Sequence, residues 1–212
     1  MNGRAARAQL SRCPVLGPVV QAVGPLRLSP RRREPYEALV RAVAHQQLHG
    51  RAAEAMLSRL IALAPGAAFP PPAAVLALGE AGLRGCGFSG AKAAAILDIA
   101  AAAEAGRLPS LRAAARLGDA ELIARLTELR GVGRWTVEML LIFTLGRPDV
   151  LPAEDFGVRE GYRIAAGLPA QPRPRDLAAI GEAWAPFRSA AAWYLWRVVE
   201  RARAGAPLAP AI

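Results

Sequence analysis

The stretch Leu129-Arg130-Gly131-Val132-Gly133-Arg134-Trp135-Thr136 limits what this chain can build more than any other. Upstream, Asp119 is placed to cap a helix whose apolar residues Leu122, Ile123, Leu126 and Leu129 follow the i, i+3, i+4, i+7 spacing. Downstream, Trp135, Met139, Leu140, Ile142 and Phe143 continue a second helical run. Two glycines one residue apart permit a turn too tight for side chains and leave backbone N–H groups bare at a helix start. Such a start attracts anions. Taken alone, G-x-G is more often an ordinary connection between two helices.

Charge narrows the choice of anion. The formal net charge is +10, which points to a polyanionic partner, nucleic acid first. Lys92 is the only lysine, so nearly all the positive charge is arginine, which can hold phosphate oxygens bidentately. Cys13 and Cys86 are the only cysteines; they supply neither a four-thiolate metal site nor a secreted disulfide framework. The composition is 53% hydrophobic, yet no apolar run reaches membrane-spanning length without charge or proline. Arg4, Arg7 and Arg12 interrupt any signal-peptide pattern. The expectation is a soluble cytoplasmic protein that works on the nucleoid, without membrane contact.

Nothing in the chain shows sustained β alternation, so the fold class is all-α. Val15, Leu16, Val19, Val20 and Val23 make a helical stripe that packs the N-terminus. Arg31-Arg32-Arg33, between Pro30 and Pro35, reads as a solvated connector, with a phosphate contact as the alternative. Leu39, Val40 and Val43 define a helix from Tyr36 that is expected to run on to Gln46–His49, since Gly50 is a poor stop. Met56, Leu57, Leu60 and Ile61 give another face, and a short helix is expected over Ala73–Leu78. Leu83-Arg84-Gly85-Cys86-Gly87 repeats the pattern of the main hairpin, with Ser89 as cap of the following helix. Ala178, Ile180, Trp184, Trp193, Leu195, Trp196 and Val199 mark the last helices, and Arg203 to Ile212 reads as a frayed tail.

The hairpin, followed by Leu151-Pro152-Ala153-Glu154-Asp155, resembles the helix-hairpin-helix DNA glycosylases, and within them the 3-methyladenine DNA glycosylase II group. Ala44-His45-Gln46-Gln47-Leu48, Gly85-Cys86-Gly87-Phe88-Ser89 with Ala91-Lys92-Ala93, and Trp184 to Trp196 agree in the expected order, over roughly residues 12–200. The resemblance implies two helical lobes with the active site in the cleft between them. One lobe comprises 1–34 with 148–212; the other is 35–147 and carries the hairpin, at about 119–146. It also implies base excision repair by a monomer acting on double-stranded DNA that contains damaged bases. No cofactor is implied, beyond a monovalent cation that backbone carbonyls of the hairpin can hold.

Breaking a C1′–N bond leaves the sugar cationic in the transition state, and a fixed carboxylate nearby stabilises that charge and can orient or deprotonate water. Asp155 matches the family's catalytic aspartate; it reads equally as the N-cap of the next helix, and the two roles are compatible. Glu154 and Asp149 are the competing acids. Relatives that also cut the backbone use a Schiff-base lysine. Trp135 stands at that position here, so no lyase activity is expected and water is the nucleophile. An alkylated purine is itself cationic, and aromatic rings favour it by stacking and cation–π attraction. Trp135 and Trp196 match pocket positions of the family, although a lone tryptophan is more often core. Met139 replaces a further aromatic. By the same resemblance Gln47, Leu48 and His49 enter the DNA at the extruded base, and Gly131, Val132, Gly133 and Thr136 face the backbone. His45 and His49 sit at metal-ligand spacing, but without a third ligand no metal site is expected. Two alternatives stand beside this reading: a non-catalytic DNA-binding module built on the same hairpin, and a glycosylase for oxidised or deaminated bases.

Overall fold

The computed structural model describes residues 2–47 and 50–206. Among them are helices and turns and no strand. The chain forms two compact units, residues 1–30 with 146–212 and residues 31–145. No helix among the described residues is long and apolar enough to cross a membrane.

The discontinuous unit begins with α1 (Gly3–Leu10) and α2 (Leu16–Val23). Leu16, Val19 and Val20 of the expected stripe are buried, while Val15 and Val23 pack at its margin. Helix α1 has no counterpart in the apolar pattern, because only Ala6 and Leu10 are buried and Arg4, Arg7 and Gln9 interrupt the rest. It is fastened by Asn2, whose side chain accepts the Ala5 N–H at 3.1 Å. After residue 146 follow α10 (Phe156–Ala165), α11 (Pro174–Gly181), a 3₁₀ turn over Glu182–Trp184, and α12 (Arg188–Arg203). Trp184, Tyr194 and Leu195 fill the core with Leu10, Leu16 and Val158.

Helices α10 and α12 meet closely because of a glycine. A Cβ on Gly161 would stand 2.1 Å from the Leu195 carbonyl oxygen, so the two backbones touch directly. The loop that leads to α10 is stapled to the start of α12. Ser189 Oγ donates to the Arg147 carbonyl at 2.7 Å and accepts the Val150 N–H at 3.0 Å. The Asp149 carboxylate takes Arg188 Nε at 2.8 Å and a terminal guanidinium nitrogen at 2.9 Å. That pairing holds the Asp149 carboxyl below its ordinary range.

The continuous unit runs α3 (Pro35–His45), α4 (Gly50–Ala62), α5 (Pro72–Gly85), α6 (Gly90–Glu104), the short α7 (Leu111–Ala114), α8 (Asp119–Leu126) and α9 (Arg134–Phe143). Helix α3 packs on both α6 and α9, and its Leu39, Val40 and Val43 are fully buried. Helix α5 covers the expected 73–78 segment, breaks at Gly79 (φ +60°, ψ −171°), and resumes. Arg31-Arg32-Arg33 lies in the connector before α3, where Arg33 pairs with Glu37 at 3.0 Å and the Arg31 N–H donates to the Phe143 carbonyl.

Two helix ends differ from their sequence-based expectation. Gly118, not Asp119, is the N-cap of α8; Asp119 is the first helical residue, in the turn where a negative charge suits the helix dipole. Helix α3 stops at His45 and does not continue through Gln46 and Gln47; the rest of its expected extent, 48–49, lies outside the described residues. Gln46 is its C-cap, and Gln47 turns the backbone into the left-handed region at φ +54°. No glycine or proline marks this stop, so its cause is tertiary.

Candidate functional site

In the continuous unit the hairpin joins α8 to α9. Leu129 and Val132 are buried beneath it, and the Val132 N–H closes the turn on the Leu129 carbonyl at 3.1 Å. The two glycines do different things. Gly131 has φ +71°, and a Cβ there would lie 2.6 Å from the Ala95 methyl of α6, so this residue must be glycine for conformation and for packing. Gly133 has ordinary dihedrals and nothing within 4 Å of a Cβ position. It is exposed at the start of α9, where helix N–H groups point outward. Only Gly131 is required by the turn itself.

The hairpin rests on α6. Asp98 of α6 accepts the Arg130 N–H at 2.8 Å, which fixes the turn beside the Ala95 contact. Gln46 holds it from the side, donating Nε2 to the Gly131 carbonyl and to Thr136 Oγ1, both at 3.0 Å. Thr136 is 1% exposed and Val132 3% exposed, so their side chains belong to the interior and not to a DNA-facing surface. For these two, only backbone contact with a ligand remains open. Trp135 and Met139 on α9 are both half-buried.

The earlier turn of the same pattern is built differently. Ser89 caps α6 as expected, accepting the Lys92 N–H at 3.3 Å. Arg59 Nε donates to the Cys86 carbonyl at 2.8 Å, and its guanidinium lies 2.8 Å from where a Gly87 Cβ would be. That turn already carries a cation of the protein's own.

Of the residues expected to enter DNA, Gln47 is exposed beyond the end of α3, while Leu48 and His49 lie outside the described residues. The sequence pattern gave no hint of Gln46 and Lys92 as the residues that organise this turn. Lys92 Nζ donates to the carbonyls of Ala44 and Gln46, each at 2.8 Å. His45 pairs with Glu54 at 3.3 Å, and burial lowers its pKa despite that carboxylate. No group of three metal-ligating side chains occurs among the described residues.

In the discontinuous unit Asp155 is the N-cap of α10. Its Oδ1 accepts the Val158 N–H at 2.7 Å and the Trp196 indole N–H at 2.8 Å. The carboxylate is thus fixed at a helix N-terminus, where the dipole favours negative charge. Gly157 makes room for this pair: a Cβ there would come 2.9 Å from Trp196 Cδ1 and 3.1 Å from Asp155 Oδ1. Trp196 is half-buried, so it is neither simple core nor a free surface ring. Of the competing acids, Asp149 is committed to Arg188, and Glu154 is exposed. Phe156, next to Asp155, is 60% exposed.

Comparison with known proteins shows the family to which the chain belongs. Residues 40–186 match the family model described as HhH-GPD superfamily base excision DNA repair protein. The chain is 45% identical over 179 residues to DNA-3-methyladenine glycosylase 1 of Schizosaccharomyces pombe, covering 84% of this chain and 78% of that protein. It is 33% identical over 189 residues to the alkylbase DNA glycosidase-like protein mag2 of the same yeast, covering 88% and 89%. Among solved structures, the S. pombe 3-methyladenine DNA glycosylase Mag1 in complex with abasic DNA superposes with a TM-score of 0.87 at 44% identity, over 91% of this chain and 95% of that one. The chain belongs to the HhH-GPD superfamily of base excision DNA repair proteins.

Proposed function

We propose that this protein is a monofunctional DNA glycosylase that extrudes alkylated purines of the 3-methyladenine type from duplex DNA and hydrolyses their N-glycosidic bond. The observation that carries the reading is the Asp155 carboxylate, held through one oxygen by the Val158 N–H and the Trp196 indole. A carboxylate so fixed stabilises positive charge on a sugar and can take a proton from water. The similar yeast proteins are named for 3-methyladenine and alkylbase removal, which supports the substrate class.

Trp196 is assigned to base stacking beside Asp155, with Trp135 and Met139 of α9 as further base contacts. The exposed Gly133 at the start of α9 is assigned to a DNA phosphate, with Gly131 beside it and the buried Val132 and Thr136 supporting the turn from beneath. Gln47, Leu48 and His49 are assigned to the space the base leaves. What supports hydrolysis without strand cleavage is the only lysine: Lys92 Nζ is bonded to two carbonyls, and position 135 is tryptophan. The protein acts as a monomer.

The test is to incubate the protein with duplexes carrying 3-methyladenine, 7-methylguanine, 8-oxoguanine or uracil, and to score base release and strand nicks separately. Release of the alkylated purines without nicks is the expected result. Release of only the oxidised or deaminated base would replace the substrate assignment. Binding without any release would leave a DNA-binding module.

A further inference from the structure

We propose that Gln46 and Lys92 are positioning residues that hold Gln47 poised to enter the duplex and tie it to the phosphate-binding hairpin. The inference rests on the proposed glycosylase reading, in which Gln47 fills the space of the extruded base. The starting observation is a strained backbone: Gln47 is exposed and left-handed at φ +54°, a conformation that Cβ sterics disfavour. Such a residue persists only where its surroundings over-determine it. No local sequence signal ends α3 here.

The surroundings are polar and come from distant parts of the chain. The last-turn carbonyls of a helix have no partner within it. Lys92 reaches from α6 to two carbonyls at this end, Ala44 and Gln46, at 2.8 Å each. Its ammonium also suits the negative end of the α3 dipole. The side chain of the same Gln46 then spans to the hairpin, binding the Gly131 carbonyl and Thr136 Oγ1. One residue is therefore gripped through its main chain and grips through its side chain.

Helix α6 is the common base of both connections. It supplies Lys92 to the end of α3, and it supplies Asp98 and the Ala95 methyl to the hairpin. The distance from Gln47 to the exposed start of α9 is set by these bonds before DNA arrives. A group already held in its working position forgoes the ordering cost that a free loop meets on binding. The bonds bury little apolar surface, since Gln46 and Lys92 are only half-buried, so they contribute more to geometry than to global stability.

Gln46→Glu keeps the length of the side chain and the Lys92 contact, but a carboxylate has no N–H to give the Gly131 carbonyl. Lys92→Met keeps the stem and loses both carbonyl bonds; Lys92→Arg restores a charged donor. Each variant is compared with wild type by fluorescence of a 2-aminopurine placed beside the lesion, by single-turnover base release, by affinity for undamaged duplex, and by melting temperature. Extrusion and release should each slow about tenfold in Gln46→Glu, the scale of losing a neutral hydrogen bond, and about tenfold or more in Lys92→Met, where the lost donor is charged. Affinity for undamaged duplex and melting temperature should stay close to wild type, and Lys92→Arg should recover part of the loss. Unchanged extrusion and release in both variants would overturn the proposal. So would a parallel fall in extrusion, duplex affinity and melting temperature without recovery in Lys92→Arg, which would make these residues struts of the fold. A wild-type protein that releases no base counts against the glycosylase reading alone, because the fluorescence still compares extrusion by wild type and variants.

Discussion

Trp196 donates its indole N–H to Asp155 at 2.8 Å, onto the same carboxylate oxygen that caps α10. The residue assigned to the base and the residue assigned to the sugar are thus a single hydrogen-bonded unit. Substitution of one reaches the other.

Asp155→Asn separates charge from shape. The amide oxygen can still accept from Val158 and Trp196, so abasic-DNA binding should survive. Excision should fall by at least ~100-fold, the scale of removing one electrostatic stabiliser. Any weakening of the cap is smaller, about 1 kcal/mol, and is read in thermal unfolding. Glu154→Gln should leave excision near wild type; the reverse pattern would transfer the catalytic role to Glu154.

Trp196→Phe and Trp196→Ala divide the functions of the indole. Phenylalanine keeps a ring and loses the donor to Asp155, so excision of cationic and neutral lesions should drop by similar factors. Alanine removes the ring as well. It should add a loss confined to cationic bases, worth about 0.5–2 kcal/mol of cation–π attraction. Parallel kinetics on a cationic and a neutral lesion distinguish the two, and identical profiles for both variants would confine Trp196 to holding Asp155.

The hairpin glycines should part company. Gly131→Ala meets Ala95 and a left-handed φ, and should cost about 1–3 kcal/mol in denaturant unfolding. Gly133→Ala meets no atom, so it should fold with little loss while binding duplex DNA more weakly. Normal DNA affinity in Gly133→Ala would remove that residue from the phosphate contact.

The glycines of α10 report on two scales. Gly161→Ala forces a Cβ into the Leu195 carbonyl and should destabilise the protein by about 3 kcal/mol. Gly157→Ala presses on Trp196 and Asp155 instead. It should reduce excision more than it reduces the melting temperature, and a variant with full activity would show that the pair tolerates displacement.

Asp149 gives the pH dependence a definite sign. Its folded-state pKa is lowered by Arg188, so its contribution is present above the unfolded value of about 3.9 and is lost as pH falls through the folded value. Asp149→Asn should be less stable than wild type by about 1–2 kcal/mol at neutral pH. Urea titrations in progressively acid buffer should show that gap closing below about pH 4. A constant gap would assign the loss to packing.

Periodicity disclosed the helices with strong apolar faces: Leu122 and Leu126 in α8, and Leu140 and Ile142 in α9, are buried as their spacing requires. It did not disclose α1, whose inward face is only Ala6 and Leu10. The end of α3 was illegible because its determinants, Lys92 and the hairpin, lie far along the chain, and hydrogen bonds across such a separation leave no local trace. Ser89 was legible as a cap, since an N-cap bond spans only three residues. Asp155 was legible as an N-cap and, through the resemblance, as a candidate acid. Its bond to Trp196 was not, for the partner stands 41 residues away on another helix.

The direct contact of α10 with α12 at Gly161 bears on how such a chain can diverge. Between most packed helices a side chain intervenes, and each exchange of that side chain shifts one helix against the other. Here main chain meets main chain, with no rotamer and no residue volume to vary. The core around Leu10, Leu16 and Val158 can be rewritten over generations while the separation between these two backbones stays fixed. Asp155 at the head of one helix and Trp196 on the other therefore inherit much of their spacing from a missing methyl group, and a lineage that keeps this glycine can change much of the surrounding core.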